Sequence, residues 1–130
     1  MSGTGYLIDT NIVIYYLEGV LPESVHTFMD KIIKDCSNIS AITKIELLGW
    51  NGFIGTNEKI YTEFVNHSNV LGITDDVINK TIEVRKAVKL KITDAIIAAT
   101  AVLQGWELVT RNVSDFNNVR SLNLVDPFDI

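Results

Sequence analysis

The sequence predicts an α/β fold in which a central parallel sheet of about four or five short strands is covered by helices on both faces. Short apolar runs alternate along the chain with segments whose apolar residues recur at helical spacing. The runs are apolar at consecutive positions, as is typical of strands that are buried on both faces. A length of 130 residues, nearly half of them hydrophobic, fits a single domain spanning 1–130.

The first half of the chain predicts two strands and several helices. Three capping residues in succession, Asp9-Thr10-Asn11, follow the first apolar run, and Gly19 ends the helix after them. Pro22-Glu23 opens a second helix that ends near Cys36. We therefore expect a strand at 6–8, helices at 12–17 and from 22, a strand at 38–40, and a helix on Ile42, Ile45 and Leu48.

The second half predicts three further helices and three strands. Thr74-Asp75-Asp76 opens one helix, and Thr93-Asp94 caps the next, which is apolar on nearly all sides and so is central. Gly105 ends that helix. The expected elements are a helix at about 57–67, a strand at 70–73, helices from 74 and 93, and strands at 107–110 and 122–125, the last closed by Asp126-Pro127.

Charge and hydropathy exclude several classes of protein. The net charge of −5 gives no long-range attraction to a polyanion, so any contact with nucleic acid must be local. No apolar stretch is long enough to cross a membrane, and the N-terminus lacks the features of a signal peptide, so we expect a cytoplasmic protein. The single cysteine, Cys36, offers neither a disulfide nor a zinc site, and we expect it to be a small buried residue.

Four acids stand where short apolar runs give way to a turn or a helix: Asp9, Glu46, Asp94 and Asp115. In a parallel sheet, residues that follow the strands share one edge, so Asp9 and the turn at 112–115 should lie on the same edge. Carboxylates within ~5 Å of each other repel by about 3 kcal/mol per pair at an effective dielectric of about 20. Such a set therefore implies hard divalent cations, with Mg²⁺ or Mn²⁺ fitting best.

Each acid also has an ordinary structural explanation. Asp9 and Asp94 are typical helix caps, and Asp115 is typical of an Asx-turn. Glu46 borders an apolar helical stripe, where an unpaired carboxylate is disfavoured. The metal hypothesis therefore depends on the four acids as a set.

The segments that carry these acids resemble, in order, the motifs of the PIN-domain nucleases, in particular the VapC-like toxins of toxin–antitoxin pairs. The resemblance runs from Tyr6 to Phe128. Its segments are Tyr6-Leu7-Ile8-Asp9-Thr10-Asn11, residues 40–48 around Glu46, residues 94–101 after Thr93, and residues 108–116 around Asp115, followed by Asn-Leu-Val-Asp-Pro-Phe near the end.

The resemblance implies a single PIN-like nuclease domain in which Asp9, Glu46, Asp94 and Asp115 hold one or two Mg²⁺ or Mn²⁺ ions and catalyse hydrolysis of RNA phosphodiester bonds. It also implies a homodimer formed through helical surfaces and a cognate antitoxin bound in a groove between the early helices. The polar side chains that would support the acids are Thr10, Asn11, Thr110 and Asn112.

Lys91 and Arg111 are the best candidates for contacts with substrate phosphate, because each lies within four residues of a proposed metal ligand. The rest of the basic stretch, Lys80, Arg85, Lys86 and Lys89, is typical of a solvated helix face, with Glu83 pairing to Lys86 at helical spacing. Trp50, Phe53 and Ile54 form an apolar cluster that fits the core and an interface equally well.

Two other functions compete with the nuclease hypothesis. A haloacid-dehalogenase-like phosphatase also begins with an aspartate after an apolar strand and uses Mg²⁺. It needs a second acid two residues later, where this chain has Asn11, and no suitable downstream lysine motif is present. A non-catalytic PIN-fold binding module explains the fold but not the four acids.

Overall fold

The strands of the protein form two parallel sheets. In a computed structural model that describes residues 5–34, 36–50 and 56–129, one sheet has the order β1-β4-β5 and the other pairs β2 with β3. β2 lies against β1, and Asn38 Nδ2 donates a hydrogen bond to the Tyr6 carbonyl at 3.1 Å. The predicted parallel α/β fold is confirmed, with its strands divided between two sheets. The strands are β1 (Tyr6–Ile8), β2 (Asn38–Ser40), β3 (Asn69–Leu71), β4 (Glu107–Val109) and β5 (Asn123–Val125).

The helices follow the order expected from the sequence. Two of them, α1 and α6, end at Gly19 and Gly105, each with a φ of 70°. Within the described residues, no helix has the length and apolarity needed to cross a membrane. The helices are α1 (Thr10–Glu18), α2 (Glu23–Ile33), α3 (Ala41–Leu48), α4 (Thr56–Asn66), α5 (Asp75–Ala87), α6 (Ile92–Gln104) and the short α7 (Val113–Phe116), with a 3₁₀ turn at Pro127–Asp129.

Alternate residues of the strands supply two hydrophobic cores. Leu7 and Leu108, which are partners in the β1–β4 register, pack into a core with buried residues of α5, α6 and α7. Ile8 and Val109, the next pair in that register, pack into a second core with residues of α1 to α4. Because successive side chains of a strand point to opposite faces, this division shows that helices cover both faces of the sheet.

Several boundaries differ from the sequence prediction, most of them by one or two residues. β3 lies at Asn69–Leu71, earlier than the predicted 70–73, because it pairs in register with β2. α6 begins at Ile92, so Thr93 and Asp94 lie in its first turn, and Lys91 occupies the N-cap with an extended backbone and no side-chain capping bond. The turn expected at 112–115 is partly helical, forming α7.

Two side-chain predictions were wrong. Cys36 is exposed, because it lies on the surface between the end of α2 and the start of β2, where its thiol approaches the Ser37 carbonyl at 3.6 Å. Glu83 pairs with Lys80 at 3.2 Å, one turn earlier on α5, and not with Lys86. Helical spacing allows both pairings equally, so the sequence could not select between them.

Candidate functional site

Asp9 lies directly after β1, where the sheet ends at its carboxyl edge. Its side chain is buried, with 6% of the residue exposed. Oδ1 accepts a hydrogen bond from the Thr10 backbone N–H at 2.9 Å, and Oδ2 accepts one from Thr110 Oγ1 at 2.8 Å. Thr110 follows β4, the strand paired with β1, so the second bond joins two neighbouring strand ends. Asp9 is therefore both the N-cap of α1 and part of a polar cluster at this edge.

A chain of hydrogen bonds continues from Thr110 to Asp115. Thr110 is fully buried, and its Oγ1 also accepts from the Asn112 backbone N–H at 3.0 Å. Asn112 Nδ2 in turn donates to Asp115 Oδ2 at 2.8 Å. Asp115 is exposed on α7. The turn after β4 thus connects the buried carboxylate of Asp9 to an acid at the surface.

Glu46 is connected to the same edge through Thr10. Thr10 Oγ1 donates to Glu46 Oε1 at 2.7 Å and lies 2.8 Å from Thr43 Oγ1. A hydroxyl has one proton to donate, so Thr43 donates to Thr10 in this arrangement. Thr43 was not identified from the sequence as part of the site. The available signal was its position three residues before Glu46, which places both side chains on one face of α3.

Asp94 is half-buried in the first turn of α6. Burial raises the pKa of its carboxyl group, the charge of Lys91 opposes that shift, and the charges of Glu46 and Asp115 raise the pKa further. Asp94 therefore shares its electrostatic environment with two of the other acids.

Asp9 is affected in the same direction. Burial is the largest cause that raises its pKa, while the hydrogen bonds from Thr110 and Thr10 oppose it. The charges of Asp94 and Glu46 raise the pKa of Asp9 as well. Each of the four acids thus interacts electrostatically with at least one other.

The chemistry of these donors fits a hard cation. None of the four acids forms an ion pair with a basic side chain in the described part of the chain. In residues 5–34, 36–50 and 56–129, no three acids, histidines or cysteines form a ready-made metal cluster. The arrangement therefore concentrates carboxylates that have hydroxyl and amide donors but no ion pairs in the described residues, with the charge of Lys91 acting on Asp94. A divalent ion would neutralise such a set.

The other residues singled out from the sequence lie around this edge. Asn11 is exposed, and its side chain makes no hydrogen bond to the acids within the described residues. Lys91 is exposed at the start of α6. Arg111 is exposed as well, with its guanidinium carbon 4.1 Å from the centre of the Phe128 ring. Of the apolar cluster, Trp50 is 55% exposed, and Phe53 and Ile54 lie outside the described residues.

An apolar cavity of about 370 Å³ opens beside Glu46, between α1, α3 and α4. Tyr61 OH donates to Glu18 Oε2 at 2.9 Å in its wall, and burial together with this bond raises the pKa of Tyr61 to about 12. The family resemblance implied a groove between the early helices, but its lining residues could not be predicted from the sequence, because the wall combines side chains from three helices. The lining residues are Ile14, Glu18, Glu46, Leu47, Trp50, Asn57 and Tyr61.

Comparison with known families gives a match over most of the chain. A family model described as PIN domain matches residues 6–122. No curated protein sequence matches significantly.

Solved structures share the fold over nearly the whole length. A chain of a toxin–antitoxin complex from Klebsiella pneumoniae is 29% identical, with a TM-score of 0.76, and the match covers 97% of this chain and 100% of that one. DNA-bound VapBC from Salmonella typhimurium gives a TM-score of 0.82 at 23% identity, covering 95% of this chain and 98% of that one. FitAcB from Neisseria gonorrhoeae gives 0.79 at 23% identity, covering 96% and 99%.

Proposed function

The chain belongs to the PIN-domain family, and from this membership we propose that it is a metal-dependent endoribonuclease, the toxin of a toxin–antitoxin pair. The observation that carries the proposal is a set of four carboxylates without ion-pair partners in the described residues. Hydrogen bonds through threonine and asparagine residues connect Asp9, Glu46 and Asp115, and electrostatic repulsion couples Asp94 to all three. The proposal treats 1–130 as one nuclease domain. It also places the protein in the cytoplasm, where an RNA substrate is available.

In this proposal Asp9, Glu46, Asp94 and Asp115 hold one or two Mg²⁺ or Mn²⁺ ions. When bound, such an ion activates water and neutralises charge that develops on the phosphate oxygens. The chain's own polar groups keep the acids in place: Thr110 and the Thr10 N–H hold Asp9, Thr10 Oγ1 holds Glu46, and Asn112 holds Asp115.

Substrate positioning in the proposal depends on two exposed cations beside the acids. Lys91 precedes Asp94 at the start of α6, and Arg111 follows Thr110 after β4. Both are suited to contact phosphate oxygens on either side of the cleaved bond, which positions RNA without selecting its sequence. Stacking on Phe128 restricts the guanidinium of Arg111 and so reduces the entropy lost when it binds phosphate.

We assign the antitoxin to the cavity beside Glu46. The likeness to chains of toxin–antitoxin complexes supports a protein partner. The cavity is lined by apolar side chains of Ile14, Leu47 and Trp50, with the carboxylates of Glu18 and Glu46 at its wall. A segment that combines an apolar anchor with a basic side chain fits such a surface.

The homodimer is part of the same proposal. Ile45 on α3 and Ile92 on α6 expose 60% and 57% of their surface, although both are large aliphatic residues. α3 and α6 contact each other in the fold. Exposed isoleucines on neighbouring helices are suited to pairing with a second copy.

The proposed activity is tested with purified protein freed of antitoxin. We expect it to cleave RNA in the presence of Mg²⁺ or Mn²⁺ and to stop when EDTA is added. Release of phosphate from p-nitrophenyl phosphate without RNA cleavage would indicate a phosphatase instead. A binding module would produce neither reaction.

Asp94→Asn is expected to lower RNA cleavage by about 100-fold or more, because it removes charge from the proposed metal site. It should leave the unfolding temperature of the metal-free protein equal or higher, because it removes a half-buried charge and relieves repulsion from Glu46 and Asp115. These gains offset the lost attraction to Lys91 and to the N-terminal end of the α6 dipole. Asp76→Asn is the matched control, since Asp76 is an exposed acid in the first turn of α5. The control should keep full activity and lose only about 0.3–1 kcal/mol of helix-dipole stabilisation. Clear destabilisation by Asp94→Asn would show that Asp94 is a structural residue.

A further inference from the structure

Four exposed cations surround the turn between α5 and α6. Arg85 and Lys86 are in the last turn of α5, Lys89 is in the connection, and Lys91 is the N-cap of α6. We call these four residues the basic turn. A concentration of positive charge in a chain with a net charge of −5 calls for an explanation.

Pairing with acids of the same helix does not provide that explanation. Glu83 pairs with Lys80 at 3.2 Å, and in the described residues no acid forms an ion pair with any member of the basic turn. The negative end of the α5 dipole accounts for Arg85 and Lys86. It does not account for Lys89, which lies beyond the helix. Lys91 stands where the α6 dipole disfavours a cation, and the acid that its charge acts on is Asp94 of the proposed site.

Two apolar residues of the turn, Val88 and Leu90, anchor its backbone to the hydrophobic core. Val88 has an extended conformation, with φ −135° and ψ 139°, and packs against the core that contains Leu90. Leu90 is only 8% exposed, while Lys89 and Lys91 on either side of it are exposed. Because apolar and basic residues alternate here, Val88 and Leu90 pack against the core while Lys89 and Lys91 remain at the surface. An open hollow of about 360 Å³ lies along residues 85–90.

The basic turn adjoins the four acids Asp9, Glu46, Asp94 and Asp115, which we call the acid cluster. Lys91 begins the helix whose first turn carries Asp94. A polyanion that reaches the acids would meet repulsion there and attraction at the turn. The surface is therefore complementary in charge to a chain of phosphates that passes from the turn to the acids.

We propose that the basic turn binds backbone phosphates of single-stranded RNA on one side of the bond that is cleaved. This inference rests on the proposed ribonuclease function and extends its substrate contacts from Lys91 to Arg85, Lys86 and Lys89. Cations of this kind neutralise phosphates and do not read bases, so the turn supplies affinity and direction for the strand and no sequence preference.

The test measures equilibrium binding of a fluorescent single-stranded RNA in EDTA, where cleavage does not occur. The variant carries Arg85→Gln, Lys86→Gln and Lys89→Gln. The matched control carries Lys31→Gln, Lys34→Gln and Lys59→Gln, which removes the same charge from exposed positions on or beside α2 and α4. Fluorescence anisotropy is recorded as salt is raised from about 50 to 200 mM.

We expect the turn variant to bind at least about tenfold more weakly at the lowest salt and to lose about 2 from the slope of log affinity against log salt, since each phosphate contact on a single strand contributes about 0.7. The control should stay within about twofold of the unmodified protein. Equal weakening of both variants would reflect net charge alone and would overturn the inference. Tighter turn-dependent binding of polyglutamate than of RNA would also overturn it, by assigning the surface to an acidic protein.

Failure of this inference can be told apart from failure of the proposed function. RNA cleavage by the unmodified protein with Mg²⁺ or Mn²⁺, together with unchanged RNA binding by the turn variant, contradicts the basic turn alone. Binding that depends on the turn, with no RNA cleavage under either ion, supports the phosphate contact and contradicts the nuclease function.

Discussion

At the scale of single residues, Asp9 caps α1 and also belongs to the polar cluster at the carboxyl edge of the sheet, so one side chain can have both roles. One oxygen accepts from the Thr10 N–H and the other from Thr110 Oγ1. A carboxylate has about four acceptor positions, so two hydrogen bonds leave capacity for a cation. An N-cap contributes about 1 kcal/mol to stability, and that contribution does not argue against a second role. The sequence presented the two roles as alternatives, whereas the structure combines the cap with the polar cluster.

Thr110→Val tests the group that holds Asp9. Removing the hydroxyl leaves a buried carboxylate oxygen without its donor, so we expect the free energy of unfolding to fall by about 1–3 kcal/mol. Affinity for Mn²⁺, measured by calorimetric titration, should fall about tenfold or more. Thr100→Val is the control, because Thr100 is buried to a similar extent but donates only to the Ile96 carbonyl of its own helix, at 2.8 Å. If both variants had the same Mn²⁺ affinity, Thr110 would have no role in positioning Asp9.

At the scale of elements, α6 determines where Asp94 lies. Its buried residues contribute to the core shared with α5 and α7, its first turn carries Asp94, and Gly105 ends it just before β4. The left-handed backbone at Gly105 sends the chain directly into the strand that pairs with β1. The first turn of this helix therefore carries one of the four acids, and its C-terminal end leads into β4, whose far end is followed by Thr110.

Gly105→Ala is expected to destabilise the protein by about 1 kcal/mol, because alanine disfavours the positive φ of 70°. Within the described residues, no atom outside the adjoining backbone lies within 4 Å of the added methyl group, so backbone strain is the expected cost. Ser121→Gly is the opposite change, since Ser121 is a non-glycine residue with a φ of 67°, and it should stabilise by about 0.5 kcal/mol or less. Thermal unfolding measures both. A stabilised Gly105→Ala variant would contradict the strain argument.

Most elements could be predicted from the sequence, because their signals are local. The caps at Thr74 and Gly19 and the apolar strands are present in adjacent residues. The division of the strands into two sheets, the contact of Thr43 with Thr10 and the exposure of Cys36 depend on how distant segments meet. Lys80 and Lys86 lie at the same helical spacing from Glu83, so side-chain conformation decides that Glu83 pairs with Lys80. The four acids were predicted from local sequence, and that assignment stays a prediction. Of the threonines around them, Thr10 and Thr110 were predicted and Thr43 was not.

At the scale of the whole molecule, the acid cluster brings four negatively charged side chains together. The pKa values of Asp9 and Asp94 are raised above the ordinary value of 3.8 by burial first and by neighbouring carboxylates. The folded state therefore binds these protons more tightly than the unfolded state. Stability is consequently lost as pH rises from about 3.8 through the raised pKa values, and the metal-free protein carries that loss at neutral pH.

Thermal unfolding of the metal-free protein should accordingly show a smaller loss of stability with rising pH for Asp94→Asn than for the unmodified chain. Mn²⁺ or Mg²⁺ at about 100 times its Kd should add about 2.7 kcal/mol to the unmodified protein at neutral pH, because the ion binds only the folded state. At the same ion concentration, the gain in the free energy of unfolding should be smaller for Asp94→Asn. Equal gains in the two proteins would mean that the ion binds elsewhere.

The position of β4 between β1 and β5 affects when the four acids can come together during synthesis of the chain. Asp9 leaves the ribosome early, but the hydroxyl that holds it follows 101 residues later. Pairings between distant segments form late in folding. The acid cluster is therefore incomplete while most of the chain is being translated. In the proposed ribonuclease, this order of assembly means that the four acids come together only after the final strands have emerged from the ribosome.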